Sequence, residues 1–143
     1  MRIGLLILAA MSLSGCGFVL AKHLIKESGS GVMKTTTHQV ATFDRISTSI
    51  PGDIEVVVGG ALSVKSETDD NLVDNLKIEV KDGELRLRSK GHINPTKMAF
   101  TISVPSLNAF ELSGAGDVNL SKLNAKSFKL DISGAAEIKM SGD

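Results

Sequence analysis

The sequence predicts an all-β domain in which short strands lead into stacked coils with a period of about 20 residues, and three observations carry that reading. The first is an internal repeat: Phe110-Glu111-Leu112-Ser113-Gly114-Ala115-Gly116-Asp117-Val118-Asn119-Leu120 recurs as Leu130-Asp131-Ile132-Ser133-Gly134-Ala135-Ala136-Glu137-Ile138-Lys139-Met140. The repeat keeps four apolar positions, the Ser-Gly-Ala core and an acid after it. Its period is too short for an α-solenoid and suits one turn of a β-coil whose equivalent side chains form ladders. The second is a hairpin pattern, Leu76 to Val80 and Glu84 to Arg88 around Asp82-Gly83, where the turn needs the backbone freedom of glycine. The third is that no helical pattern of about ten residues follows the amino-terminal segment. Pro51, Pro95 and Pro105 instead punctuate short apolar runs, as suits strand ends and turns.

In chain order, the first element is a secretory signal. Arg2 precedes the apolar stretch Ile3 to Met11, and Leu13-Ser14-Gly15-Cys16 resembles a lipobox. That resemblance implies removal of residues 1–15 and attachment of diacylglycerol to Cys16. The segment Ile3 to Leu13 has eleven residues, whereas a spanning helix needs about 20, so the mature chain is expected to be tethered by lipid and not to cross the membrane. Gly17 after Cys16 resembles the class of lipoproteins sorted to the outer membrane of double-membraned bacteria.

Residues 16–37 read as a flexible linker, with Glu27-Ser28-Gly29-Ser30-Gly31 followed by a threonine run. Residues 38–143 read as the folded domain. Phe43 to Ile50, Ile54 to Val58 and Leu62 to Lys65 carry strand signals, and Asp69 to Leu76 suits one helical turn with Asp69 or Asp70 at its start. Phe100 to Val104 is a further strand, closed by Pro105. In the repeat, Ser113, Gly114 and Gly116, and then Ser133 and Gly134, form the bends. Alternation around them sends Leu112, Val118 and Leu120 inward, with Glu111 and Asn119 facing water. Ser49-Ile50-Pro51-Gly52-Asp53-Ile54 is a degenerate echo without a fixed period.

Taken together, Phe43-Asp44-Arg45-Ile46, Asp53-Ile54-Glu55-Val56, Leu76 to Val80, Asn94-Pro95-Thr96, Ile102 to Val104 and the two Ser-Gly-Ala units resemble the bacterial putative adhesin family, also called the head GIN domain, over residues 34–143. The resemblance implies a β-rich domain that ends in right-handed parallel β-helix coils on an exported or lipid-anchored protein. Related domains generally continue through further Ser-Gly repeats, whereas this chain stops at Ser141-Gly142-Asp143. An uncovered coil edge exposes backbone groups that invite self-association.

Charge and chemistry narrow the function. The chain has 16 Lys and Arg and 16 Asp and Glu, without the concentrated basic surface that nucleic acid requires. Once Cys16 is lipidated no cysteine remains for a disulfide or thiolate site. Trp and Tyr are absent, so no carbohydrate platform of those rings is encoded. Asp117 and Glu137 become neighbours if the coil is correct, and paired carboxylates can divide acid and base roles. The alternative function is therefore a polysaccharide lyase or hydrolase built on a coil. Exposed acids at a repeated bend are more often structural. Asp117, Asp131 and Glu137 offer oxygen ligands for calcium, but no calcium motif is present, and His38 with His92 lacks companion zinc ligands. Ser113 and Ser133 are outside a Gly-x-Ser-x-Gly setting, and Gly114-Ala115-Gly116 lacks the strand-to-helix context of a phosphate loop. No cofactor or metal is expected. The favoured function is an envelope scaffold or binding module whose polar faces, through Glu111, Asn119, Lys129, Asp131 and Lys139, meet a glycan, an envelope protein or another copy.

Overall fold

The computed structural model describes residues 27–142. The expected signal segment 1–15, the expected lipidation position Cys16, the part of the expected linker up to residue 26 and Asp143 lie outside the described residues. Two strands, β1 (Glu27–Ser28) and β2 (Met33–His38), open the described chain. The reading of 16–37 as a flexible linker therefore does not hold from Glu27 onward. β2 is an edge strand with only Thr36 and His38 half-buried, and its β-branched threonines suit an extended backbone.

From Arg45 the alternation of apolar and polar residues builds the sheets. β3 (Arg45–Thr48) bends through Pro51-Gly52 into β4 (Asp53–Val58), followed by β5 (Ser63–Asp69). A short 3₁₀ turn at Asp70–Asn75 takes the place read as a helical turn, with Asp69 just before it. β6 (Leu76–Lys81) and β7 (Glu84–Ser89) form the expected antiparallel hairpin. Asp82 and Gly83 both take positive φ, 54° and 75°, as a two-residue turn matched to strand twist requires. After β8 (Ile93–Asn94) and β9 (Met98–Val104), the repeat supplies β10 (Ala109–Leu112) with β11 (Ala115–Leu123), then β12 (Lys129–Ile132) with β13 (Ala135–Gly142).

One sheet runs β12-β10-β3-β7-β6 and the other β13-β11-β4-β9-β5-β2, while β1 pairs with β8. β12, β10, β3 and β7 are mutually parallel neighbours, as are β13, β11, β4 and β9. The repeat is read directly in the register, with Phe110 beside Leu130 and Val118 beside Ile138. The echo at Ser49 to Ile54 is a complete third member of the same stack. It pairs with β10 and β11 at an offset of 64 residues, Ile46 beside Phe110 and Ile54 beside Val118. At the opposite end antiparallel strands cover the stack: β6 on β7, β5 on β9, and β2 on β5.

Inward side chains from both sheets form one core that includes Ile46, Leu85, Phe110 and Leu112 from one sheet and Val56, Phe100, Ile102 and Leu120 from the other. Burial fades along the stack. Leu120 is fully buried, whereas its ladder partner Met140 is 47% exposed; Phe110 is 1% exposed and Leu130 40%. The bends permit this close stacking of strand pairs. A Cβ on Gly116 would land on the Gly52 carbonyl oxygen, and one on Gly134 on the Gly114 carbonyl oxygen. Ala136 stands in register with Gly116 without a positive φ, and in that last bend Gly134 takes the positive φ instead.

Polar side chains fasten the amino-terminal segment to the covered end. Asp69 has no exposed surface, and its Oδ1 accepts from the Gly31 amide and its Oδ2 from the Thr96 amide, each at 2.8 Å. Asn71 accepts from the Ser30 amide and donates to the Ser28 carbonyl, both at 2.9 Å.

Candidate functional site

Parallel pairing sets equivalent outward residues of neighbouring strands side by side, about 4.8 Å apart. On the six-stranded sheet this makes two ladders. Asp117 stands between Asp53 and Glu137, and Asn119 between Glu55 and Lys139. With Ala99 and Thr101 of β9, these residues line an open groove of about 310 Å³. Three carboxylates in one ladder repel one another. Two local contacts offset part of that repulsion: the Asp117 amide donates to Asp53 Oδ1 at 3.1 Å, and Lys139 Nζ lies 3.6 Å from Glu137 Oε1.

The five-stranded sheet carries a second, smaller depression of about 170 Å³, lined by Arg45, Glu84, Ala109, Glu111, Lys129 and Asp131. Glu111 is in register with both Ser47 and Asp131. Here both signs are present, with the acids Glu111 and Asp131 side by side, and Arg86 Nε reaches Glu84 Oε1 at 2.9 Å. Arg88 donates to the Ser47 carbonyl at 3.1 Å and to its hydroxyl at 2.9 Å, which covers Ser47.

The five binding candidates divide between the outward faces of the two sheets. Asn119 and Lys139 join Asp117 and Glu137 on the six-stranded face, while Glu111, Lys129 and Asp131 belong to the other sheet. The calcium set Asp117, Asp131 and Glu137 is split in the same way. Among the described residues, no group of three His, Cys, Asp or Glu side chains is arranged to hold a metal ion. Asp117 and Glu137 are indeed neighbours, but both are exposed, so burial does not distinguish an acid from a base. His38 bonds Ser66 Oγ at 2.7 Å, and burial lowers its pKa; His92 instead uses its carbonyl to accept from Glu27. The bend serines act through their amides, Ser113 to the Thr48 carbonyl at 2.9 Å and Ser133 to the Leu112 carbonyl at 2.8 Å. Asp53, Glu55 and Thr101 complete the larger groove. The acid after the bend in the Pro51-Gly52-Asp53 echo was the one available signal for Asp53.

The family model described as "Putative auto-transporter adhesin, head GIN domain" matches residues 42–143. The chain belongs to the head GIN family. Among solved structures, the head GIN chain is similar to a putative adhesin of Bacteroides fragilis, with 25% identity and a TM-score of 0.73, over 79% of this chain and 55% of that one. It is also similar to a putative lipid binding protein of Parabacteroides distasonis, at 20% identity and a TM-score of 0.69 over 80% and 51% of the two chains. A putative adhesin of Parabacteroides merdae matches at 18% identity and a TM-score of 0.58, over 75% and 54%. This head GIN chain thus spans about half the length of the solved structures it matches. No curated protein matches it.

Proposed function

We propose that this chain is a cell-envelope scaffold, tethered by lipid at Cys16, that binds an extended glycan along the outer face of its six-stranded sheet. In this reading the stacked strand pairs are coils of a right-handed parallel β-helix. The observation that carries it is the pair of ladders, Asp53-Asp117-Glu137 and Glu55-Asn119-Lys139, along one open groove. A polymer that repeats its hydroxyls meets a carboxylate at each level, Asp53, Asp117 and Glu137, and beside it a carboxylate, an amide or an ammonium group, Glu55, Asn119 and Lys139. The groove is at the lower limit of a small-molecule cleft, and its openness to solvent suits a chain-like ligand. The absence of Trp and Tyr makes hydrogen bonding, and not ring stacking, the mode of recognition. Membership of a family described as an adhesin supports placement at the envelope surface.

The binding test is titration of the protein with soluble envelope and host-cell glycans, alongside Asn119→Ala, Asp117→Asn and Glu111→Ala. Binding weakened by the first two and spared by the third supports the six-stranded face. Loss with Glu111→Ala alone moves the site to the other sheet, and no glycan binding at all favours an envelope protein as the partner. The tether is tested by intact mass and membrane fractionation of the native chain and Cys16→Ser. An unmodified mass with unchanged localisation removes the anchor.

A further inference from the structure

We infer that the cavity where β4, β9 and β11 end holds one tetrahedral oxyanion, a sulfate or phosphate group, with Lys122 as its cationic partner. The cavity has a volume of about 140 Å³ and is formed by the turn after β4, the link from β9 to β10 and the end of β11 with the turn that follows it. It lies on the β4 side of β11, whereas β13 pairs with the other side. Such a space is below the range of clefts that take a whole small molecule and suits a single charged group.

The lining is selective. Lys122 is its one charged residue, Ser106, Asn108 and Asn124 add hydroxyl and amide donors, and the other lining residues are apolar or glycine. No carboxylate lines it, in contrast to the Asp53-Asp117-Glu137 groove at the other end of the same strands. One carboxylate touches this lining from outside: Asn108 Nδ2 donates to Asp44 at 3.1 Å, and Asp44 lies 3.5 Å from Arg45 Nε. Among the described residues Lys122 forms no ion pair, so its ammonium is open to a ligand. The donors come from three separate stretches of chain. A sulfate or phosphate accepts from several directions at once, which matches that arrangement better than the two coplanar oxygens of a carboxylate.

The backbone singles out Lys122 independently. Strict alternation after Val118 and Leu120 would turn Lys122 into the core and Leu123 to solvent. The register instead slips by one residue between Leu120 and Leu123, a β-bulge, so that Leu123 packs against the core and Lys122 lines the cavity. Lys122 takes a φ of 59° there. Among the described residues other than glycine, Asp82 alone shares a positive φ, and it sits in a hairpin turn where aspartate is favoured. A left-handed lysine has no such local compensation, whereas glycine would take the position without strain. Strain kept at a bulge that places a cation in a cavity is the pattern of a binding position.

The site is independent of lipid on Cys16 and of a glycan in the larger groove. The test is a nuclear magnetic resonance titration of the full chain carrying Cys16→Ser with sodium sulfate, sodium phosphate and glucose 6-sulfate, each against sodium chloride at matched ionic strength. The amide signals of Gly59 and Asn124 are expected to shift saturably with the oxyanions and not with chloride. Lys122→Gly should lower the affinity by about tenfold or more, as loss of one charged hydrogen bond predicts. In chloride it should melt no lower than the parent, because glycine suits the left-handed backbone. Lys126→Ala, on the same turn but outside the lining, should bind as the parent does. Tighter binding of glucose 6-sulfate than of inorganic sulfate assigns the group to a glycan, and equal binding assigns it to the free ion. Shifts that chloride reproduces, an unchanged affinity in Lys122→Gly or an equal loss in Lys126→Ala overturn the proposal.

Discussion

Asp117 rests on Asp53, its amide donating to the Asp53 carboxylate at 3.1 Å although 64 residues separate them in the chain. The contact joins the starts of the paired strands β4 and β11 just after their bends, and Glu137 continues the ladder on the other side. The central carboxylate therefore faces like charges above and below it while its backbone remains bonded.

Replacing Asp117 by Asn removes that charge and leaves the backbone bond to Asp53 intact. The variant is expected to melt at a higher temperature than the parent at low salt. The gain should shrink in high salt, where exposed charges are screened. Thermal melts at two ionic strengths check this, and a lower melting temperature in both would contradict the ladder.

Gly116 tolerates no side chain, because its Cβ would strike the Gly52 carbonyl oxygen. Gly116→Ala should cost about 1–3 kcal/mol from strain and displaced backbone. Gly114→Ala is the control: its Cβ would meet the Ile50 carbonyl at an ordinary 3.6 Å. Urea unfolding of the pair should rank Gly116→Ala clearly below Gly114→Ala.

Leu120 and Met140 occupy the same place in successive coils, yet one is fully buried and the other nearly half exposed. Leu120→Ala should lose about 2–5 kcal/mol. Met140→Ala should lose less than about 1 kcal/mol, as befits a side chain still largely in water. Equal losses by chemical denaturation would mean that the last coil is covered in solution.

Thr48 is buried in the core sheet, and its hydroxyl has no hydrogen-bond partner. Valine has nearly the same shape without the stranded polar atom. Thr48→Val is expected to stabilise the fold by about 1 kcal/mol, visible as a higher denaturation midpoint with an unchanged slope.

Two buried groups make stability fall in acid, in different ranges. Burial raises the Asp69 pKa, but hydrogen bonds from Gly31 and Thr96 outweigh it and leave the carboxyl below its ordinary value. Its contribution is complete above the unfolded pKa, about 3.9, and is lost as pH falls through the lowered folded value. Burial lowers the His38 pKa as well, so the unfolded chain takes up that proton first. Stability then declines as pH drops below about 6.5 toward the folded value. Melting temperature followed from pH 8 to pH 2 should show both declines. His38→Gln should flatten the upper one and Asp69→Asn the lower.

The hairpin at Asp82-Gly83, the 20-residue repeat and the inward alternation of Leu112, Val118 and Leu120 were all legible in the sequence, because each is fixed by neighbours close in the chain. The third member of the stack was not. Its offset of 64 residues arises because β5 to β9 are inserted between β4 and β10, and no short period survives that insertion. β2 was hidden for a different reason: as a polar edge strand its sequence resembles a linker, and only pairing with β5 makes it a strand. The binding residues were recognisable as outward-facing, but the bend between β10 and β11 assigns Glu111 and Asn119 to different sheets. Alternation alone does not reveal that division.

The place of β3 and β4 within the sheets also constrains the order of folding. They are made before β7 and β9 and before β10 and β11, yet they lie between those two pairs. A growing chain therefore adds its strand pairs on opposite flanks of β3 and β4 and not in one direction. The central pair waits for one flank to arrive by Val104 and for the other to arrive by Leu123. Contacts this distant in sequence slow folding through the entropy of closing long loops. The flanks of β3 and β4 are thus completed only after long stretches of intervening chain have been delivered.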